Sequence, residues 1–172
     1  MRWTLARSNP WKFSVCQKEK LSDEYVLSLI NGIILQIEDD LEDVELFRIA
    51  LAQSRSGCRL ISVQFAKDAI NYLCRIGQYV DEQRYPRPTL IVLDLSLPGM
   101  SGLEFLTWAK CEPAAKIPPI VVFSSSQLEL NRDLTQKLGA KGYFVKSPDL
   151  KETVAMTKNL LLFSASPPNV AE

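Results

Sequence analysis

Residues 91–102 read I-V-L-D-L-S-L-P-G-M-S-G, a run of β-branched and aliphatic residues that ends in one carboxylate, Asp94, and turns at once through Pro98-Gly99. No other segment restricts the fold so tightly. An apolar run without alternation is a strand buried on both faces, and such strands belong to parallel sheets covered by helices on each side. Open sheets of that kind place their chemistry just beyond the carboxyl ends of the strands. Asp94 therefore stands where a site would be, although a lone aspartate before a turn is also an ordinary turn or capping residue.

The rest of the chain repeats the same unit. Residues 32–37 form a short apolar strand ending at Glu38, Asp39 and Asp40, after which Leu41, Val44, Phe47 and Leu51 recur at helical spacing. Residues 59–64 give a second strand, and Ala66, Ile70, Leu73 and Cys74 mark a helix that stops near Gly77. Residues 78–88 are polar and hold two prolines, so they form a loop before the central strand 89–93. That loop is read either as a surface that selects partners or as an inert insertion. Leu103, Leu106 and Ala109 mark a third helix, broken by Pro113, and Ile117-Pro118-Pro119 leads into strand 120–123, which ends in Ser124-Ser125-Ser126. A fourth helix, about 128–138, is stopped by Gly139, and residues 142–145 are a fifth strand ending at Lys146. The fifth helix covers 150–162, with Leu150, Val154 and Leu161 on its apolar face. Five strand–helix units in alternation predict one parallel sheet with right-handed crossovers and helices on both faces.

Length and composition set the limits. A chain of 172 residues, 47% hydrophobic, supports one core domain, here 32–163, with an N-terminal extension at 1–31 and a short tail at 164–172. The extension is expected to be largely flexible, with 24–30 as a candidate short amphipathic helix. Lys+Arg and Asp+Glu both number 20, and the resulting net charge of +0 gives no general attraction to nucleic acid or anionic lipid. Apolar runs fall short of the roughly 18 residues that cross a bilayer. The four cysteines, Cys16, Cys58, Cys74 and Cys111, are too scattered for a zinc site or a disulfide framework, which fits a reducing cytoplasm. There is no histidine, so Ser-His-Asp catalysis and imidazole metal sites are excluded.

What remains at the strand ends is Glu38 and Asp39 after the first, Asp94 after the third, Ser124 after the fourth and Lys146 after the fifth. In a parallel sheet all of them face one edge. Crowded carboxylates raise one another's pKa, and a hard divalent cation such as Mg²⁺, held by carboxylates and phosphate oxygens, keeps them ionised. The chemistry this set suits is phosphoryl transfer onto Asp94 as nucleophile, with the metal and Lys146 neutralising phosphoryl oxygens. A phosphohistidine donor would have to belong to another protein. Plainer readings stand beside each residue. The acids at 38–40 also suit a helix N-cap and first turn, and Asp40 is assigned to the cap. Ser124 to Ser126 suit loop polarity, Tyr143 an edge-strand aromatic, and Lys146 a solvated lysine.

Four motifs in order, I-I-L-Q-I-E-D-D, L-I-V-L-D-L-S-L-P-G-M-S-G, I-V-V-F-S-S-S and G-A-K-G-Y-F-V-K, resemble the response-regulator receiver domains of two-component signalling over about 32–163. Within that family the chain is similar to single-domain regulators partnered with bacterial phytochrome kinases, which share the E-D-D-x-E-D-V-E-L opening, the long loop before the central strand and a Lys-Ser step after the last.

The resemblance implies a flavodoxin-like, doubly wound (β/α)5 fold with strand order 2-1-3-4-5. It makes Asp94 the phosphoacceptor. Asp39 would bind Mg²⁺ directly and Glu38 through water, and Ser96 would offer its backbone carbonyl. Ser124 becomes the switch hydroxyl, Lys146 the phosphoryl-pairing lysine, and Tyr143 the aromatic that turns inward when Ser124 is drawn toward the new oxygens. It implies a sensor histidine kinase of phytochrome type as partner, with output as a homodimer, or an effector contact, through the face of helix 4, strand 5 and helix 5. The chain would then be no enzyme beyond its own phosphorylation and dephosphorylation. One departure concerns Lys146: many family members have proline next, often with a cis bond, and here Ser147 intervenes, where a cis bond would cost ~3 kcal/mol more. A pseudo-receiver acting as a phosphorylation-independent binding module is the alternative that this departure keeps open. An Asp-nucleophile phosphatase would be expected to carry an acid two residues after Asp94, where Ser96 stands.

Overall fold

In the computed structural model the described residues are 31–112, 117–125 and 129–163. The expected extension at 1–30, the Pro113 break, Ser126, the start of the fourth helix at Leu128 and the tail at 164–172 lie outside them. Five strands, β1 (Ile33–Ile37), β2 (Arg59–Val63), β3 (Leu90–Leu93), β4 (Ile120–Ser124) and β5 (Gly142–Val145), form one sheet in the order β2-β1-β3-β4-β5, with every pairing parallel. The helices are α1 (Leu41–Gln53), α2 (Ala66–Leu73), α3 (Gly102–Cys111), α4 (Glu129–Lys137) and α5 (Leu150–Leu161).

Successive strand residues point to opposite faces, and the sheet divides the core accordingly. Leu35, Ile37, Ile91, Leu93 and Val122 pack with α2 and α3 through Ala69, Tyr72, Phe105 and Leu106. Ile34, Leu90, Val92, Val121 and Phe123 pack with α1 and α5 through Phe47, Leu51, Leu160 and Leu161. Both faces are thus covered, which is why β3 could be apolar at every position.

Each helix starts where local chemistry allows it. The Asp40 carboxylate accepts from the N–H groups of Glu42 and Asp43 at the head of α1, as its assignment to the cap requires. Ser101 and Glu104 cap each other's backbone at α3, and Asp149 caps α5. Gly139, at φ +100, carries the chain out of α4 through a conformation that costs a side chain strain.

Three details differ from expectation. The apolar face of α5 includes threonines: Thr153 and Thr157 are buried with Leu160 and Leu161, whereas Leu150 and Val154 are half-buried. Thr153 tolerates this because its hydroxyl donates to the Ser147 carbonyl. On α1, Leu41 is largely exposed, because the first residue of the helix projects past the edge of the core. The segment read as a polar loop opens with a 3-10 turn, Gly77–Val80, and is anchored by aromatics. Tyr72, Tyr79 and Tyr85 stack with ring centroids 4.9–5.9 Å apart, and the Tyr72 hydroxyl donates to the Pro86 carbonyl. The Arg75 guanidinium lies over the Tyr72 ring and donates to the carbonyls of Tyr79 and Tyr85. Those tyrosines are committed to packing, which ties the insertion to α2. No helix among the described residues is long and apolar enough to cross a membrane.

Candidate functional site

The site residues are fixed by ladder hydrogen bonds that run one step past the strands. The Glu38 N–H donates to the Val63 carbonyl, the Asp94 N–H to Ile37, and the Lys146 N–H to Ser124, each at 3.0 Å. The expected residues therefore meet at the carboxyl edge, their backbones held by the sheet itself. One carboxylate oxygen from each of Glu38, Asp39 and Asp94 lies within 4.8 Å of the other two. Glu38 and Asp94 are buried and Asp39 is exposed, so two of these three candidate ligands are enclosed and one opens to solvent.

Lys146 closes the cluster. Its Nζ lies 2.6 Å from Glu38 Oε2, 2.7 Å from Asp43 Oδ2 and 3.3 Å from Asp94 Oδ2. Asp94 Oδ1 accepts the Leu95 N–H at 2.7 Å, which sets the carboxylate plane and leaves Oδ2 facing the ammonium. Among the described residues no peptide bond is cis, so the Lys146–Ser147 bond is trans, and the lysine still reaches the acids. Asp43 was not singled out in the sequence. Its one signal is position, in the first turn of α1 directly after the Asp40 cap that follows the strand-end acids.

Ser124 ends β4 and is fully buried. Alternation places it on the face of Val122, whose neighbour in register is Tyr143. The Tyr143 ring lies inward, 6% exposed, with the Arg132 guanidinium 5.1 Å from its centroid. The inward position assigned to it after switching is the one it holds here. Ser96 is exposed two residues beyond Asp94.

The electrostatics follow from burial. Desolvation pushes Glu38 up from 4.5 to about 7; Lys146 pulls against that shift and the Asp94 charge adds to it. For Lys146, burial works to lower the pKa, but its bonds to Asp43 and Glu38 outweigh it and hold the ammonium above its ordinary value. Four acids against one lysine leave an excess of negative charge at a site of hard oxygen donors, which fits a divalent cation of the Mg²⁺ type and no soft metal.

The shift at Glu38 has a signed consequence. The folded chain keeps this proton up to about pH 7, while the unfolded chain releases it near 4.5, so folded-state stability falls as pH rises through that window. Without divalent cations, wild type is expected to lose about 1–3 kcal/mol relative to Glu38→Gln between these limits. Parallel denaturation curves at pH 5 and 7.5 check this; a constant difference between the two proteins would contradict it.

A parallel 2-1-3-4-5 sheet with this acid–lysine edge is the frame of a receiver domain, and the family model described as the response regulator receiver domain matches residues 34–158: the chain belongs to that family. It is 33% identical over 131 residues to the response regulator Rcp1 of Synechocystis sp., a match that spans 76% of this chain and 87% of Rcp1. The structure of the phosphorylated cyanobacterial phytochrome response regulator RcpA superimposes with a TM-score of 0.70 at 32% identity, covering 79% of this chain and 95% of RcpA. The Mn²⁺-bound form of Rcp1 gives 0.68 at 30%, covering 82% and 99%. The phosphate regulon regulator PhoB of Escherichia coli is 30% identical over 128 residues, which span 74% of this chain but about half, 51%, of PhoB.

Proposed function

We propose that the chain is a phospho-accepting response regulator in two-component signalling. The observation that carries this reading is the placement of a buried carboxylate, Asp94, against both a lysine amine and two further acids at the sheet edge. An Asp94 carboxylate oxygen attacks the phosphorus of a phosphohistidine that is protonated on its other ring nitrogen, the P–N bond breaks, and an acyl phosphate forms as neutral imidazole departs. Mg²⁺, when bound, supplies positive charge for the phosphoryl oxygens. Glu38, Asp39, Asp94 and the Ser96 carbonyl are the groups that hold it, while Lys146 pairs with a phosphoryl oxygen and the Ser124 hydroxyl donates to another.

The chain contains no histidine, so the donor histidine lies on a partner kinase. Similarity to the cyanobacterial phytochrome response regulator RcpA favours a phytochrome-type kinase. The reading places the protein in the cytoplasm, with protein partners rather than nucleic acid or membrane, and with no substrate turned over beyond its own phosphoryl group. Its output is a protein contact through α4, β5 and α5, as a homodimer or with an effector, where Ser124 and Tyr143 link the site to that face. The test is incubation with Mg²⁺ and acetyl phosphate followed by intact mass. Wild type is expected to gain one phosphoryl mass, lost on alkaline or hydroxylamine treatment, and Asp94→Asn to gain none. A wild type that stays unmodified under these conditions and with a phosphorylated kinase would leave a constitutive binding module in place of this reading.

A further inference from the structure

We infer that Asp43 is a positioning residue for Lys146: from the first turn of α1 it holds the ammonium beside Asp94, so that one N–H stays aimed at a phosphoryl group carried there. This rests on the reading of Asp94 as phosphoacceptor and adds to it a residue that the strand-end pattern does not contain.

The argument starts from the reach of the lysine. The backbone of Lys146 is pinned by its bond to Ser124, but four rotatable bonds separate that anchor from Nζ, and a free lysine spends little time in any one rotamer. The ammonium has three N–H donors and meets three carboxylates: Glu38 at 2.6 Å, Asp43 at 2.7 Å and Asp94 at 3.3 Å. Its side chain is only 9% exposed, so these acids take the place of water around it.

The three partners are not equivalent. Glu38 and Asp94 share the acidic cluster with Asp39, and a cation held there would draw on their oxygens. Asp43 stands outside that cluster. It is the partner that keeps its bond to the ammonium while the other two turn to a metal. Asp43 is also held in place, because its N–H and that of Glu42 are both tied to the Asp40 cap. Past Lys146 the chain is fixed on α5 instead, through Ser147 to Glu152 and to the Asp149 N–H, and the acids that meet the amine among the described residues are Glu38, Asp43 and Asp94.

The test follows the ammonium and the chemistry separately. In chain labelled with ¹⁵N-lysine, at saturating Mg²⁺, the Lys146 ammonium resonance is assigned by its loss in Lys146→Arg. It is expected to be sharp in wild type, broadened in Asp43→Ala, partly restored in Asp43→Glu, and unchanged in Glu42→Ala, which removes an equal charge from the same turn. Phosphorylation of Asp94 by acetyl phosphate is expected to slow about tenfold in Asp43→Ala, with Asp43→Glu recovering most of the rate. If wild type takes no phosphoryl group, the reading of Asp94 fails and the positioning role fails with it. If wild type is phosphorylated and Asp43→Ala keeps both its rate and a sharp Lys146 resonance, only the role of Asp43 is overturned; a faster Asp43→Ala overturns it too, since Asp43 would then compete for the lysine.

Discussion

Replacing Lys146 with alanine is expected to cost the metal-free chain about 3–5 kcal/mol at pH 7.5, because it leaves buried carboxylates without a partner. Among the described residues, Lys146 is the one cation paired with Glu38, Asp43 or Asp94. The melting temperature should drop by roughly 10 °C for a domain of this size. At pH 5 the loss should shrink, since Glu38, whose pKa desolvation raises to about 7, then carries a proton and no longer needs the lysine. Mg²⁺ should stabilise Lys146→Ala more than it does wild type, where the metal must take Glu38 from the ammonium. At 100 times its Kd a bound ion contributes about 2.7 kcal/mol, enough to recover much of the loss. Melting curves at two pH values, with and without Mg²⁺, decide the matter: a variant that melts like wild type in chelator would show that Lys146 carries none of this burden.

A second large effect is expected at Gly102, the first residue of α3. A Cβ added there would sit 2.3 Å from the Asp94 carbonyl oxygen and 2.7 Å from Leu95 Cα. Both are backbone atoms and cannot rotate aside, so α3 must back away from the end of β3 and carry the Gly102–Leu95 hydrogen bond with it. Gly102→Ala should lose about 2–3 kcal/mol and, because the displaced atoms belong to the acceptor itself, most of the rate of Asp94 phosphorylation. Gly99→Ala is the comparison. Gly99 has φ +76 but nothing within 4 Å of an added Cβ, so strain alone should cost about 1–2 kcal/mol. Equal effects at the two positions on phosphorylation at saturating Mg²⁺ would rule out the collision as the cause.

Much of this architecture could be read before any coordinates. Apolar runs ending at Glu38, Asp94, Ser124 and Lys146 are strong signals because a buried strand tolerates no charge until it leaves the sheet, and parallel pairing then brings every ending to one edge. Asp40 was legible as a cap for a similar reason: its side chain has a local task. Asp43 was not. A first-turn acid is already explained by the helix dipole, and only the long-range packing of β5 beside β4 reveals that it meets Lys146. Tyr79 and Tyr85 were hidden in another way, since a segment with prolines and charges has no periodicity from which to read burial, whereas Tyr72 lies on the buried face of α2 with Ala66 and Ala69. On α5, Thr153 and Thr157 show the limit of polarity as a guide: helical phase buries them whatever their hydroxyls prefer.

The bond between Asp43 and Lys146 joins positions 103 residues apart, and β5 is held in the sheet by β4 alone. A contact of that separation carries the loop-closure entropy of the chain between its ends. A chain cut before β5 would lack the amine beside Asp94 and also Leu160 and Leu161, which close the core over β1, β3 and β4. The charge balance of the acidic edge is in this way completed from the far end of the fold, by the strand that only one neighbour holds.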